Sequence, residues 1–176
     1  EEKHSIIRLK PKVSPDKILA GFPWVYDNEL VLDRRTKQLT SGKIVELQDS
    51  ARNFLATAVV NPKSKIFARV ITKTANKIGG SELVFKRISA AKALREGIFT
   101  DPYYRLINSE ADQMPGTIID RFGDFFVIQP NSVWAENNLD NITDALVELF
   151  NPEGIIKNAN SRARTLEGLD DCSLLI

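Results

Sequence analysis

Short runs of alternating apolar and polar residues fill the first 75 positions. Ser5 to Leu9, Glu29 to Leu32, Lys43 to Gln48, Phe54 to Val60 and Ile66 to Thr72 are rich in β-branched residues and separated by turn formers. This pattern predicts a small all-β barrel. Between the first two runs, Ser14-Pro15-Asp16 supplies an N-cap, a proline suited to the first helical position and an acidic first turn, followed by Ile18, Leu19 and Phe22. One short helix is therefore expected to plug the barrel. Thr72 to Ser81, with Asn76 and the pair Gly79-Gly80, is polar and unpatterned, and it marks a domain boundary.

The period then changes. Val84, Ile88, Ala91, Leu94 and Ile98 recur three or four residues apart and predict a helix over about Ser81 to Ile98, which Asp101-Pro102 ends. From Tyr104 to Asp124 charges interrupt apolar runs too short for a helix, so this stretch reads as strands joined by defined turns. Pro115-Gly116 suits the centre of a type II turn, and Phe122-Gly123-Asp124-Phe125 reads as a hairpin tip between Thr117 to Arg121 and Phe125 to Gln129. A second helix is expected over about Val133 to Phe150, with a core stripe of Ala135, Leu139, Ile142, Leu146 and Leu149. Asn151-Pro152 stops it, and Gly154 to Asn158 gives another short strand. The reading is α+β: a β barrel over 1–75, then a small α/β domain over 76–170 whose strands are covered by two helices.

Composition narrows the function classes. The chain has 176 residues and 43% hydrophobic content, enough for one ordinary domain or two small ones. No apolar run approaches the roughly 20 residues of a membrane span, and the charged start lacks a signal-peptide core, so a cytoplasmic setting without membrane partners is expected. One cysteine, Cys172, and one histidine, His4, make a zinc or iron centre unexpected. The net charge of +1 conceals an asymmetry: residues 1–75 hold 14 Lys/Arg against 8 Asp/Glu, and residues 76–176 hold 10 against 15. A basic module joined to an acidic one suggests a polyanion partner for the first half, although surface lysines also serve solubility.

Candidate catalytic chemistry is thin. Glu110, Asp112 and Asp120 would need facing carboxylates in different environments to act as acid and base, and carboxylates beside a Pro-Gly turn more often accept backbone hydrogen bonds or pair with arginine. Arg105 and Arg121 are the natural partners. The guanidinium groups of Arg162 and Arg164, in Ser161 to Leu169, could clamp phosphate or tie down carboxylates, and the acidity of this half favours the second use. Cys172 sits beside Asp170 and Asp171 with no histidine to activate it, so a nucleophilic role is not expected. Neither a G-x-G-x-x-G fingerprint nor a Walker-type G-K-[ST] is present.

Four separated motifs carry a resemblance: Gly21-Phe22-Pro23-Trp24-Val25-Tyr26, then Asn61-Pro62-Lys63-Ser64, then Tyr104 to Asp124 with its E-A-D-x-x-P-G-x-x-x-D-R pattern, and Arg164 with Glu167-Gly168-Leu169. In these, and in their order, the chain resembles the SAM-dependent 23S ribosomal RNA large-subunit cytosine-5 methyltransferases. The resemblance covers nearly all of the sequence. It implies an N-terminal PUA-like pseudo-barrel and a central EEHEE-type α/β domain, followed in that family by a Rossmann-like methyltransferase domain. This sequence departs from the family pattern at Gln113, where glycine is frequent, in Val133 to Glu136, where another glycine is usual, and in Asp49 to Asn53, which lacks an Asp-Gly pair.

The resemblance places the family's SAM-binding loop, acidic ribose contact and catalytic cysteine beyond Ile176, with 171–176 read as the start of that further domain. In the family's chemistry a cysteine thiolate attacks C6 of cytosine, C5 takes the methyl group of S-adenosylmethionine, and a base removes the C5 proton. None of those groups is assigned within this chain, so it is expected to hold no cofactor and to lack catalysis alone. The function implied is RNA binding and substrate positioning within an rRNA methyltransferase. A stand-alone RNA-binding or adaptor protein and a protein-interaction module are the alternatives, and homo-oligomerisation is compatible with each. PUA domains meet RNA through backbone and shape, which gives the basic half a rationale. Lys12, Lys17, Lys63, Lys65 and Arg69 are the candidate phosphate contacts, and Trp24 is expected mainly to pack.

Overall fold

The computed structural model describes residues 4–75 and 80–176, which fall into two compact units, Glu1–Lys77 and Ile78–Ile176. Part of the Thr72 to Ser81 linker, residues 76–79, lies outside the described residues.

In the first unit the elements run β1 (Ser5–Arg8), α1 (Asp16–Leu19), β2 (Trp24–Val25), α2 (Arg34–Lys37), β3 (Ile44–Gln48), β4 (Phe54–Val60) and β5 (Ala68–Thr72). They build one five-stranded sheet in the order β1-β3-β4-β5-β2. β1 runs parallel to β3, and the remaining pairs are antiparallel. The expected β-rich unit is therefore present. From Leu55 to Val60 every residue of β4 is buried, as a central strand covered on both faces requires. Ile7, Leu9, Ile18, Val25, Leu30, Val45, Leu47 and Phe67 close around it as one core. Each such side chain contributes about 1.5–3 kcal/mol by leaving water.

Two local readings change here. Glu29 to Leu32 does not form a strand: a 3-10 turn occupies Asp27–Glu29, the Glu29 carboxylate accepts the Tyr26 amide at 2.8 Å, and only Leu30 bridges to Leu9. The edge strand is instead Trp24–Val25. Ser14-Pro15-Asp16 does start a helix, with the Ser14 hydroxyl accepting the Asp16 amide at 3.2 Å, but α1 is a single turn that buries Ile18 alone. Gly21, at φ +107°, turns the chain immediately afterwards and leaves Phe22 40% exposed rather than in the core.

The second unit opens with α3 (Gly80–Glu96), whose buried face is Val84, Ile88 and Ala91; Leu94 and Ile98, expected on that face, are exposed. β6 (Tyr103–Asn108), β7 (Thr117–Phe122) and β8 (Phe125–Pro130) then form an antiparallel meander. A 3-10 turn at Ser109–Asp112 separates the first two strands. Pro115-Gly116 makes the expected turn: the Thr117 amide donates to the Met114 carbonyl at 2.9 Å and Gly116 takes φ +65°. Phe122 pairs with Phe125 across the expected hairpin tip.

The second helical stretch is two helices, α4 (Val133–Asn137) and α5 (Leu139–Phe150). They part at Asn138, whose side-chain amide donates back to the Trp134 carbonyl at 2.9 Å while its oxygen accepts from Asn141 at 3.0 Å. β9 (Gly154–Lys157) returns parallel to β8, α6 (Arg162–Glu167) follows, and β10 (Leu174–Leu175) pairs with β9. The strand order is β10-β9-β8-β7-β6. α3 and α5 pack together, and Tyr104, Leu106, Ile119, Phe126, Ile128 and Ile155 supply the buried face of the sheet.

Candidate nucleic-acid interface

The α1–β2 corner of the first unit combines aromatic rings with cations. Phe22 and Trp24 meet edge to face, ring centres 6.0 Å apart at 75°. Lys17 places its ammonium 5.1 Å from the Phe22 ring centre and 5.7 Å from that of Tyr26, while forming an ion pair with Glu29. Arg69, opposite Trp24 in the β2–β5 register, lies 5.6 Å from the indole centre. The 61–66 turn is fastened to the same corner, because the Lys65 carbonyl accepts the Asp27 amide at 3.1 Å. Within that turn the Asn61 side chain accepts from the Lys63 amide at 3.2 Å and from the Ser41 hydroxyl at 2.9 Å.

The five candidate cations separate by environment. Lys63 and Lys65 are exposed on the fastened turn and Lys12 is exposed in the turn after β1; none of the three has a side-chain ion pair among the described residues. Lys17 is committed to Glu29, and Arg69 is 9% exposed and packed against Trp24, so these two shape the corner. Trp24 is half-buried and does pack, as expected. Sequence reading passed over Phe22, assigning it to the apolar face of a helix that in fact ends before Gly21. It also passed over Lys10 and Lys73, which donate to the carbonyls of Asn28 (2.8 Å) and Leu19 (2.6 Å) and brace the corner.

In the second unit the titratable groups hold the fold. Arg105 grips Asp120 with two hydrogen bonds, 2.8 and 3.1 Å, as expected. Asp112 is taken by Arg95 at 2.6 Å rather than by Arg105 or Arg121, and it also accepts the Asn108 amide at 2.6 Å. Arg121 instead lies against Tyr104, Phe126 and Phe150, 5.0 Å from the last ring centre, and donates to the Gly123 carbonyl at 2.9 Å.

Arg164 is the largest fully buried side chain. Ser161 caps the helix that carries it, and its guanidinium donates to the carbonyls of Pro130 and Asp170 and to Glu136 at 2.7 Å. Lys157, 4% exposed, pairs with the other oxygen of Glu136. Burial is the largest influence on the Glu136 carboxyl and raises its pKa. The hydrogen bonds and charges of Lys157 and Arg164 together outweigh it, so the group lies below the ordinary carboxylate value. Cys172 is exposed, and among the described residues no His/Cys/Asp/Glu group is arranged to hold a metal ion and no helix is long and apolar enough to cross a membrane.

Residues 7–73 match the family model of a PUA-like domain. The chain is homologous to ribosomal RNA large subunit methyltransferase I. It is 36% identical to that protein of Vibrio vulnificus (strain CMCP6) over 157 residues, covering 88% of this chain and 39% of the relative. With that of Klebsiella pneumoniae subsp. pneumoniae the identity is 33% over 159 residues, covering 87% and 38%. The chain thus spans about two-fifths of the length of these relatives. Among solved structures, a candidate SAM-dependent methyltransferase from Streptococcus mutans superposes with a TM-score of 0.72 at 18% identity, over 88% of this chain and 40% of that one. A candidate methyltransferase complexed with SAH gives 0.71 at 18%, over 89% and 40%. At that identity the likeness is one of fold.

Proposed function

We propose that this chain is the RNA-binding and substrate-positioning part of a SAM-dependent rRNA cytosine-5 methyltransferase, with the PUA-like unit gripping ribosomal RNA through the α1–β2 corner. The observation that carries this reading is the corner itself. Exposed Phe22 and half-buried Trp24 offer faces and edges for an unpaired base, while Lys12, Lys63 and Lys65 extend charge toward phosphates. Lys17 and Arg69 pack against the rings. Similarity to rRNA methyltransferases supports the substrate class, and the PUA-like match lies on the unit that carries the corner.

The residues present do not fit the methyl donor. Among the described residues of the second unit, the one place where a strand leads into a helix before a parallel partner is the β8–α4 junction, Asn131-Ser132, which has no glycine. It is closed by Ser132, whose hydroxyl donates to the Pro115 carbonyl at 2.7 Å and accepts the Ala135 amide at 3.1 Å. Methyl transfer is therefore assigned to the rest of the relatives' length, and no step of it is derived from this chain.

Fluorescence anisotropy with single-stranded and hairpin fragments of large-subunit rRNA, repeated across salt concentrations, tests the reading. Binding should weaken steeply with salt, and Lys63→Ala with Lys65→Ala should flatten the dependence by about 0.7 for each single-strand phosphate that is no longer neutralised. No detectable RNA binding at low salt would remove the proposal. Tight binding of S-adenosylmethionine in calorimetry would overturn the division of labour.

A further inference from the structure

β1 and β2 are the two ends of the first unit's sheet, and the corner described above belongs to β2. The β1 end carries a separate cleft of about 630 Å³, walled by β1 on one side and by the segment containing α2 on the other. A volume of that order suits one nucleotide. Its charged lining is mostly cationic, with Arg8, Arg35 and Lys43 against one carboxylate, Asp33, and His4, Ser5, Thr36 and Gln38 complete the polar wall. Asp33 faces its own helix, accepting the Thr36 amide at 2.8 Å and the Thr36 hydroxyl at 2.9 Å. Those bonds hold its carboxyl below the ordinary range, so its charge is fixed and locally used.

The cations are less occupied. Arg8 spends one nitrogen on the Gln48 side chain at 3.1 Å, and its Nε is buried without a hydrogen-bond partner. Arg35 and Lys43 are exposed and make no ion pair among the described residues. Beside them Ile6 and Val31, each 42% exposed, give the cleft an aliphatic patch of a kind a solvated surface does not need. Anion-seeking groups around an apolar shelf match an unpaired nucleotide, whose base is flat and apolar on its faces and whose phosphodiester is charged.

We propose that this cleft is a second RNA contact that seats one unpaired nucleotide, its base against Ile6 and Val31 and its phosphodiester between Arg35 and Lys43. The proposal rests on the reading of the chain as an RNA binder and adds a second site on the β1 edge of the sheet, lined by residues other than those of the corner.

The test compares the whole 176-residue chain with three variants in the same anisotropy titrations, with thermal melts confirming that each folds. Arg35→Ala with Lys43→Ala should lower the slope of log affinity against log salt by up to about 1.4, two single-strand phosphates' worth. Ile6→Ser should weaken binding about fivefold with the slope unchanged, because it removes about 40 Å² of apolar surface and no charge. Lys63→Ala with Lys65→Ala reports on the corner alone. If the corner variant flattens the slope and the Arg35/Lys43 variant leaves it unchanged, the cleft does not touch RNA and the RNA reading stands. If the unaltered chain does not bind RNA, both fall.

Discussion

The two units spend their cations in opposite ways. In the first, Lys63, Lys65 and Lys12 stand in solvent, and the positive groups nearest the rings, Lys17 and Arg69, pack within the corner. In the second, Arg164, Lys157, Arg95 and Arg105 are each taken by a carboxylate of the same unit. The difference teaches that a charge asymmetry along a chain gains meaning only when the partners of each charge are known. Fifteen acidic residues against ten basic ones in residues 76–176 leave most of the cations there paired within the unit, Lys86 and Arg162 being exposed without an ion pair among the described residues, whereas more of the surplus in the first half remains available to a ligand.

The sharpest way to break this contrast is to empty the buried network. Arg164→Ala leaves one oxygen of Glu136 and the carbonyls of Pro130 and Asp170 without their buried donor, so urea denaturation should show the second unit losing about 3–5 kcal/mol. RNA affinity should stay with the first unit. Equal loss of RNA binding would show that the second unit contributes directly.

A smaller effect should appear at the corner. Phe22→Ala removes an exposed ring, and RNA binding should fall by about 1–3 kcal/mol with an unchanged salt slope, while stability moves by less than about 1 kcal/mol. A large drop in melting temperature would instead place Phe22 in the fold's support.

Acid sharpens the comparison further. Because the folded Glu136 carboxyl lies below its ordinary value of 4.5, its contribution is complete above about that pH. It is lost as pH falls through the lower folded value. The second unit should therefore lose stability on acidification, and Glu136→Gln should remove this part of the pH dependence in denaturation curves. The smallest effect belongs to Arg105→Ala, which breaks a half-exposed pair with Asp120 and should cost less than about 1 kcal/mol despite its two-pronged geometry.

Much of the fold was legible because it depends on neighbours in sequence. The Pro115-Gly116 turn, the Phe122–Phe125 hairpin tip and the α3 face of Val84, Ile88 and Ala91 all follow from local spacing. What escaped depends on partners that spacing does not name. Glu29 caps a turn instead of extending a strand, and Asn138 divides a helix whose apolar stripe runs unbroken past it. At the corner, Lys63 and Lys65 could be singled out from their turn, but the commitment of Lys17 to Glu29 and the exposure of Phe22 required coordinates. The cleft at β1 was invisible for the same reason: Arg8, Arg35 and Lys43 are scattered over 36 positions and meet only when β1 lies beside α2.

Gly116 carries one more consequence. A Cβ built on it would sit 2.5 Å from the Cβ of Ser132, so the turn and the start of α4 share a space that only one of the two positions can fill. Residues 116 and 132 are in effect a single heritable character. Among diverging sequences, a side chain can enter at 116 only if one has already left at 132. The new residue must also tolerate the left-handed backbone. A change at 116 is therefore conditioned by the history of 132, and a pairwise mutational scan should show that a side chain at 116 costs less when 132 is glycine.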